Sequence, residues 1–152
     1  MRHILGGALA VSLLLTTAQV GFAACDPMHD PDKTAIANAR AAADAACANE
    51  PPPTGPRGCN TPGVTHGQYV SCVVHQLNAN PNLPKNCRGA AKRCAAKSTC
   101  GKPGFVTCCV TNPQGKSKCR ITQQGACPGT VGSCTSCCDA CPAPGSGPSC
   151  PS

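Results

Sequence analysis

CRGAAKRCAAKSTCGKPGFVTCCVTNPQGKSKCRITQQGACPGTVGSCTSCCDAC, residues 87–141, places eleven cysteines in fifty-five positions. Whether these thiols are cross-linked or bind metal decides the fold that the chain can have. The first part, PKNCRGAAKRCAAKS from Pro84, reads as a helix with Gly101 beyond its end. Cys87 and Cys94 are seven residues apart and share a face, yet they are separated by about 10 Å along the axis. Disulfide Cα atoms lie within about 7 Å of each other, so these two cannot bond and each must reach another element. Cys72, on the preceding helix, is the natural partner for one of them. FVTCCVT (105–111) and SKCRIT (117–122) then form a β-hairpin around Asn112-Pro113-Gln114-Gly115, whose residue types suit a type I turn. Alternation gives an inner face of Val106, Cys108, Val110, Cys119 and Ile121, with Cys109 pointing the opposite way. Residues 127–141 read as a loop-rich cysteine knot.

Working outward toward the N-terminus, Val64 onward carries a full set of helix-start signals. Thr65 and Gln68 form a capping box, and Val64 with Tyr69 can make a hydrophobic staple. This helix presents Tyr69, Cys72, Val73 and Leu77 on one face and ends near Asn80-Pro81. Residues 51–63, rich in proline and glycine, read as a linker anchored at Cys59. Before it, residues 30–49 form an alanine-rich helix with Asp30 as N-cap and Pro31 at the first helical position. Ile36, Ala39, Ala43, Ala46 and Cys47 make its narrow buried stripe. That helix stands between Cys25 and Cys47 and argues against a bond joining them.

The first twenty-three residues read as an export signal: Arg2, an apolar run from Ile4 to Leu15, then small residues at Gly21 and Ala23 before cleavage. The apolar run is too short to span a bilayer, and nothing later is apolar enough, so no membrane span is expected. A lipoprotein signal ending at Cys25 is the alternative; it would leave an odd number of other cysteines. The organisation is therefore a signal peptide (1–23), a leader and N-terminal helix (24–50), a linker (51–63), a cysteine-rich domain (64–141) and a tail (142–152). The fold class is small, disulfide-rich α+β: two to three short helices followed by a β-hairpin and a loop-rich cysteine knot.

Composition explains the cross-links. After residue 23 the chain has thirteen Leu, Ile, Val, Phe and Met residues in all, and Tyr69 and Phe105 are its only aromatics. So little apolar surface cannot by itself offset the entropy of ordering the chain. Cysteine count supplies the remedy: an even sixteen in an exported protein reads as a disulfide framework. The candidates are Cys25, Cys47, Cys59, Cys72, Cys87, Cys94, Cys100, Cys108, Cys109, Cys119, Cys127, Cys134, Cys137, Cys138, Cys141 and Cys150. The metal alternative rests on Cys134, Cys137, Cys138 and Cys141, two CxxC units back to back. With no spacer between the pairs they suit a multi-metal, metallothionein-like cluster better than a single zinc ion. A second possible ligand set is Cys72 and His75, one helical turn apart, with Cys87 and Cys94. Export favours oxidation over either, and no cofactor is expected.

Charge is segregated. Five of the six acids precede residue 51 and the sixth is Asp139, while ten cations from Arg57 to Arg120 have no acidic neighbour in sequence. The densest group is Lys85, Arg88, Lys92, Arg93 and Lys97. Such a block attracts polyanions, and after export the available one is an anionic cell-envelope polymer. Nucleic acid is not expected, because no aromatics are interleaved to stack bases. His29 and His66 belong to no catalytic arrangement and the acids are scattered, so no enzyme is expected.

HGQYVSC from His66, PKNCRGAAKRCAAKSTCGKPGFVTCC from Pro84 and CCDAC from Cys137 resemble stretches of uncharacterised, signal-bearing, cysteine-rich bacterial proteins. The resemblance implies export and a cysteine framework and carries no function. The sequence as a whole predicts a secreted or periplasmic, disulfide-stabilised structural or binding protein in contact with an anionic cell-envelope polymer. The alternatives are a metallothionein-like protein and a small secreted toxin or inhibitor.

Overall fold

The structure is a computed structural model that describes residues 24–139 except Met28. The stretches expected to be a signal peptide and a tail, with Cys141 and Cys150, lie outside the described residues. Helix α1 spans Asp32–Ala48, α2 His66–Ala79, and a 3₁₀ turn at Lys85–Cys87 leads into α3, Arg88–Ala96. Strands β1 (Phe105–Thr111), β2 (Ser117–Gln123) and β3 (Thr130–Val131) form one antiparallel sheet in the order β2-β1-β3. The described residues thus form a small disulfide-rich α+β fold of three α-helices and a three-stranded sheet.

The capping box of α2 is present in both directions: Thr65 accepts from the Gln68 N–H, and Gln68 Oε1 accepts from the Thr65 N–H at 2.8 Å. Its buried face is Tyr69, Cys72, Val73 and Leu77, as the spacing requires. The start of α1 differs from expectation. Pro31 occupies the N-cap position in helical geometry, and Asp30, one residue further back, takes the Thr34 N–H and hydroxyl on its carboxylate. The Thr34 bonds hold the Asp30 carboxyl below its ordinary value. Ile36, Ala39, Ala43 and Cys47 are buried; Ala46, at the edge of the stripe, is exposed.

One core crosses the whole helical region. Residues of α1, α2 and α3 pack together with Leu83 and Cys100, and much of the contact is made by alanine and cysteine. Six disulfides are resolved between described residues: Cys25–Cys87, Cys47–Cys72, Cys59–Cys100, Cys94–Cys138, Cys108–Cys127 and Cys119–Cys137. Cys25 avoids Cys47, and Cys87 and Cys94 each reach a different element, as helix geometry demands. Cys72 does not pair with either of them. It bonds Cys47 in the last turns of α1, while Cys87 takes the leader and Cys94 the C-terminal loop.

The proline- and glycine-rich stretch at 51–63 is a strap folded back on α1. The Arg57 N–H donates to Cys47 O at 2.6 Å and the Cys59 N–H to Asp44 Oδ1 at 2.8 Å. The Arg57 guanidinium donates to both oxygens of Glu50, at 2.6 and 2.7 Å. Such two-pronged pairing holds the Glu50 carboxyl below its ordinary value and raises Arg57. The strap is cross-linked through Cys59 to Cys100. Next to that bond Gly101, at φ +67°, lies so close to the start of α2 that a Cβ there would be 2.5 Å from His66 N. Gly101 therefore serves this approach and does not cap α3, whose C-cap is Lys97.

The hairpin turns where expected, but the register is shifted. The Gly115 N–H donates to Asn112 O at 2.9 Å, closing the type I turn, and Gly115 itself takes φ +76°. The Asn112 N–H then donates to Lys116 O at 3.0 Å, so the turn carries one extra residue as a bulge. Thr111 consequently faces Ser117, Cys109 faces Cys119 and Thr107 faces Ile121. A one-residue shift moves every side chain to the other face. Cys119 and Ile121 thus share a face with Thr107 and Cys109, and Val106, Cys108 and Val110 stand with Thr122, Arg120 and Lys118. The single expected inner face is corrected to two partly covered ones. Cys108, fully buried, is tied to Cys127, and on the other side the buried Thr107 hydroxyl donates to Cys134 O at 2.9 Å.

The C-terminal loop joins helices to sheet. Ser98 and Ser136 form a β-bridge, with Thr99 N–H to Thr135 O at 2.7 Å and Cys137 N–H to Lys97 O at 2.9 Å. The buried Ser136 hydroxyl donates to Cys94 O at 2.9 Å and the buried Ser98 hydroxyl to Ala95 O at 2.7 Å. Every buried hydroxyl at this junction is satisfied.

Replacing Cys47 and Cys72 together by alanine should lower the unfolding free energy by about 3 to 4 kcal/mol, the loop-closure entropy of a 25-residue separation. Denaturant unfolding of the oxidised protein measures it; an unchanged midpoint would show that this bond adds nothing to the core. The Glu50–Arg57 pair gives a pH dependence. A carboxyl whose folded value is depressed adds stability above its unfolded value of about 4.3, and that stability is lost as pH falls through the folded value. The melting-temperature gap between wild type and Glu50→Gln should therefore be present at neutral pH and close below about pH 4.

Candidate functional site

All fourteen described cysteines are oxidised, and none is free. Cys134, Cys137 and Cys138 of the paired CxxC units are each in disulfides, with Cys137 bonded to β2 and Cys138 to α3. In this state they offer no thiolate to a metal. The set Cys72, His75, Cys87 and Cys94 is likewise dispersed, its three sulfurs going to three different partners. Cys25 and Cys87 lie near Asp32 in a cluster of ligand type, but their sulfurs are bonded to each other. His66 is structural: its ring nitrogens lie 2.8 Å from Cys100 O and 3.2 Å from Ala96 O, linking the start of α2 to the end of α3.

The cationic group lies along α3 and its lead-in turn. Ala90, Ala91, Cys94 and Ala95 face the core, which leaves Lys85, Arg93 and Lys97 exposed and Arg88 and Lys92 half-buried on the remaining arc. Arg88 leans back onto the end of α2, donating from Nη2 to Asn80 O at 3.3 Å, and its Nε is sealed from solvent without a partner. The other four present their charge outward. Asp26 pairs with His29, Arg40 with Asp139, and Arg57 with Glu50. Asp30, Asp32 and Asp44 accept from Thr34, the Asp26 N–H and the Cys59 N–H respectively. Every acid is thus engaged elsewhere, and none forms an ion pair with the α3 cations among the described residues.

A second feature has no signature in the sequence. A cavity of about 390 Å³ opens between α1, the start of α2 and the loop around residues 133–139. Arg40, from the middle of α1, crosses its rim to Asp139, donating from Nη1 to both carboxylate oxygens at 2.8 and 3.1 Å. Ninety-nine positions separate these residues, and the one available hint was that Asp139 is the sole acid after Glu50. Tyr69 forms part of the wall and is 6% exposed; its hydroxyl has no hydrogen-bond partner among the described residues. Burial, with the nearby Asp44 carboxylate adding to it, pushes the phenol up to about 12.

No protein-family model, curated protein or solved structure matches the chain. The α+β fold with its disulfides and these two surface features therefore carry the functional reading by themselves.

Tyr69 is the only tyrosine of the protein, which also lacks tryptophan, so its ionisation can be read directly by tyrosinate absorbance. Its folded value lies above the ordinary value of about 10, so its contribution to stability is complete below that pH and is lost as pH rises through about 12. In a rapid pH jump the native protein should titrate near 12 and the denatured chain near 10. Native titration near 10 would show an open, hydrated phenol.

Proposed function

We propose that the protein is exported and works without catalysis as a binding module, attached through the α3 cations to an anionic polymer of the cell envelope. The observation that carries the reading is the uncompensated charge of Lys85, Lys92, Arg93 and Lys97 on α3 and the turns at its two ends, a helix whose other side is locked into the core. Cations on a rigid helix lose little freedom on meeting a polymer and keep their full charge for it. The oxidised cysteines support export, since disulfides persist in oxidising compartments. The signal-like first residues and the resemblance to exported cysteine-rich bacterial proteins point the same way. Among the described residues no helix is long and apolar enough to cross a membrane.

Retention of the oxidised protein on an immobilised phosphate or carboxylate polymer at low salt tests the proposal. Lys85→Glu, Lys92→Glu and Arg93→Glu together should weaken binding on the order of a hundredfold, at about 1 kcal/mol per cation near an anionic surface. Retention that survives about 1 M salt, where the screening length is about 3 Å, or that ignores the triple reversal, would overturn it.

A further inference from the structure

We infer that the cavity between α1, the start of α2 and the 133–139 loop is a binding site for a small primary ammonium group carried on a short aliphatic body. Its charges set it apart from the rest of the surface. The protein has a formal net charge of +7, yet this cavity is bordered by two carboxylates, Asp44 and Asp139, and one guanidinium, Arg40. Arg40 and Asp139 satisfy each other. Asp44 uses Oδ1 to accept from the Cys59 N–H and forms no ion pair among the described residues. The cavity therefore keeps one uncompensated negative charge in a strongly basic molecule.

The second observation is Tyr69. More than nine-tenths of this residue is buried, yet its hydroxyl is unpartnered among the described residues. Among the described residues Arg88 Nε is the one side-chain polar atom sealed from solvent without a partner, so the Tyr69 hydroxyl keeps some exposure, on a side chain that lines this cavity. A buried hydroxyl without a protein partner is costly unless water or a ligand satisfies it. An ammonium has several donors and no acceptor, so it can donate to the Asp44 carboxylate and the Tyr69 oxygen together, in a charge-assisted arrangement. The methyl groups of Ala37, Ala41 and Ala45 supply an apolar wall for the aliphatic part. A carboxylate or phosphate ligand would meet Asp44 as a like charge, and a neutral ligand would leave that charge uncompensated while removing water from it. The volume lies toward the small end of the usual range for ligand sites, which suits a short amine.

This inference stands apart from the polymer contact, since it uses a different face and the opposite charge. With one tyrosine and no tryptophan, the intrinsic emission of the protein reports from the cavity wall itself. Titration of the oxidised full-length protein with butylammonium at constant ionic strength should give a saturable change in tyrosine emission, and 1-butanol and sodium chloride should not. Asp44→Asn keeps an acceptor for the Cys59 N–H and removes the charge, so it should weaken the response by at least about tenfold. Ala41→Leu, at an exposed lining position, adds apolar bulk that narrows the cavity and should weaken the response. Emission that does not respond to butylammonium, responds equally to butanol or salt, or is unchanged in a folded Asp44→Asn protein would overturn the inference. If Asp44→Asn does not fold, an undiminished response in Ala41→Leu would overturn it alone.

Discussion

The architecture depends on the separation of Cys87, in the 3₁₀ turn that leads into α3, from Cys94 within α3. Both face inward, and because they are too far apart to bond each other they pull two remote segments onto α3: the leader through Cys25 and the C-terminal loop through Cys138. The α1–α2 pair is held separately by Cys47–Cys72, and the strap by Cys59–Cys100. Between these bonds the core is made largely of alanine, sulfur and a few aliphatic side chains. Side chains this small bury little area each, so the helices are kept in register by covalent bonds as much as by apolar contact.

Local signals were legible because local physics decides them. The capping box at Thr65 and Gln68, the buried face of α2 and the turn at Asn112–Gly115 depend on residues within a few positions of one another. Legibility failed where one residue of geometry or a distant partner decides the outcome. Asn112 to Gly115 specified a type I turn, but whether Lys116 extends it as a bulge is set by the backbone, and that one residue exchanged the faces of Cys119 and Ile121. The proline-rich strap read as a linker because its composition is that of one; its ties to Cys47, Asp44 and Cys100 are contacts that composition does not reveal. The cationic face of α3 was visible in sequence as a run of charges. The cavity was not, since Arg40, Tyr69 and Asp139 come from three segments with no shared motif.

The two surface features divide the electrostatics of the molecule. The acids are consumed in helix starts, the strap and the Arg40–Asp139 contact, each stabilising a local piece of backbone or a junction. This leaves the α3 cations without compensation, and it leaves one carboxylate, Asp44, facing a cavity. Long-range attraction to polyanions and short-range selection of a cation can coexist because surface charges are screened over about a Debye length, while a group lining a recess is screened less.

The Cys94–Cys138 bond sets the order in which the protein can be completed. A chain emerging from its N-terminus presents Cys25, Cys47, Cys59 and Cys72 to oxidation before Cys87 has appeared, and α3 is held at both ends only after Cys138 has emerged. Of the bonds possible among those four only Cys47–Cys72 is native, so any other formed early would have to be exchanged, because the native partners of Cys25 and Cys59 lie downstream at Cys87 and Cys100. Completion of the framework therefore depends on thiol–disulfide exchange wherever such early bonds form.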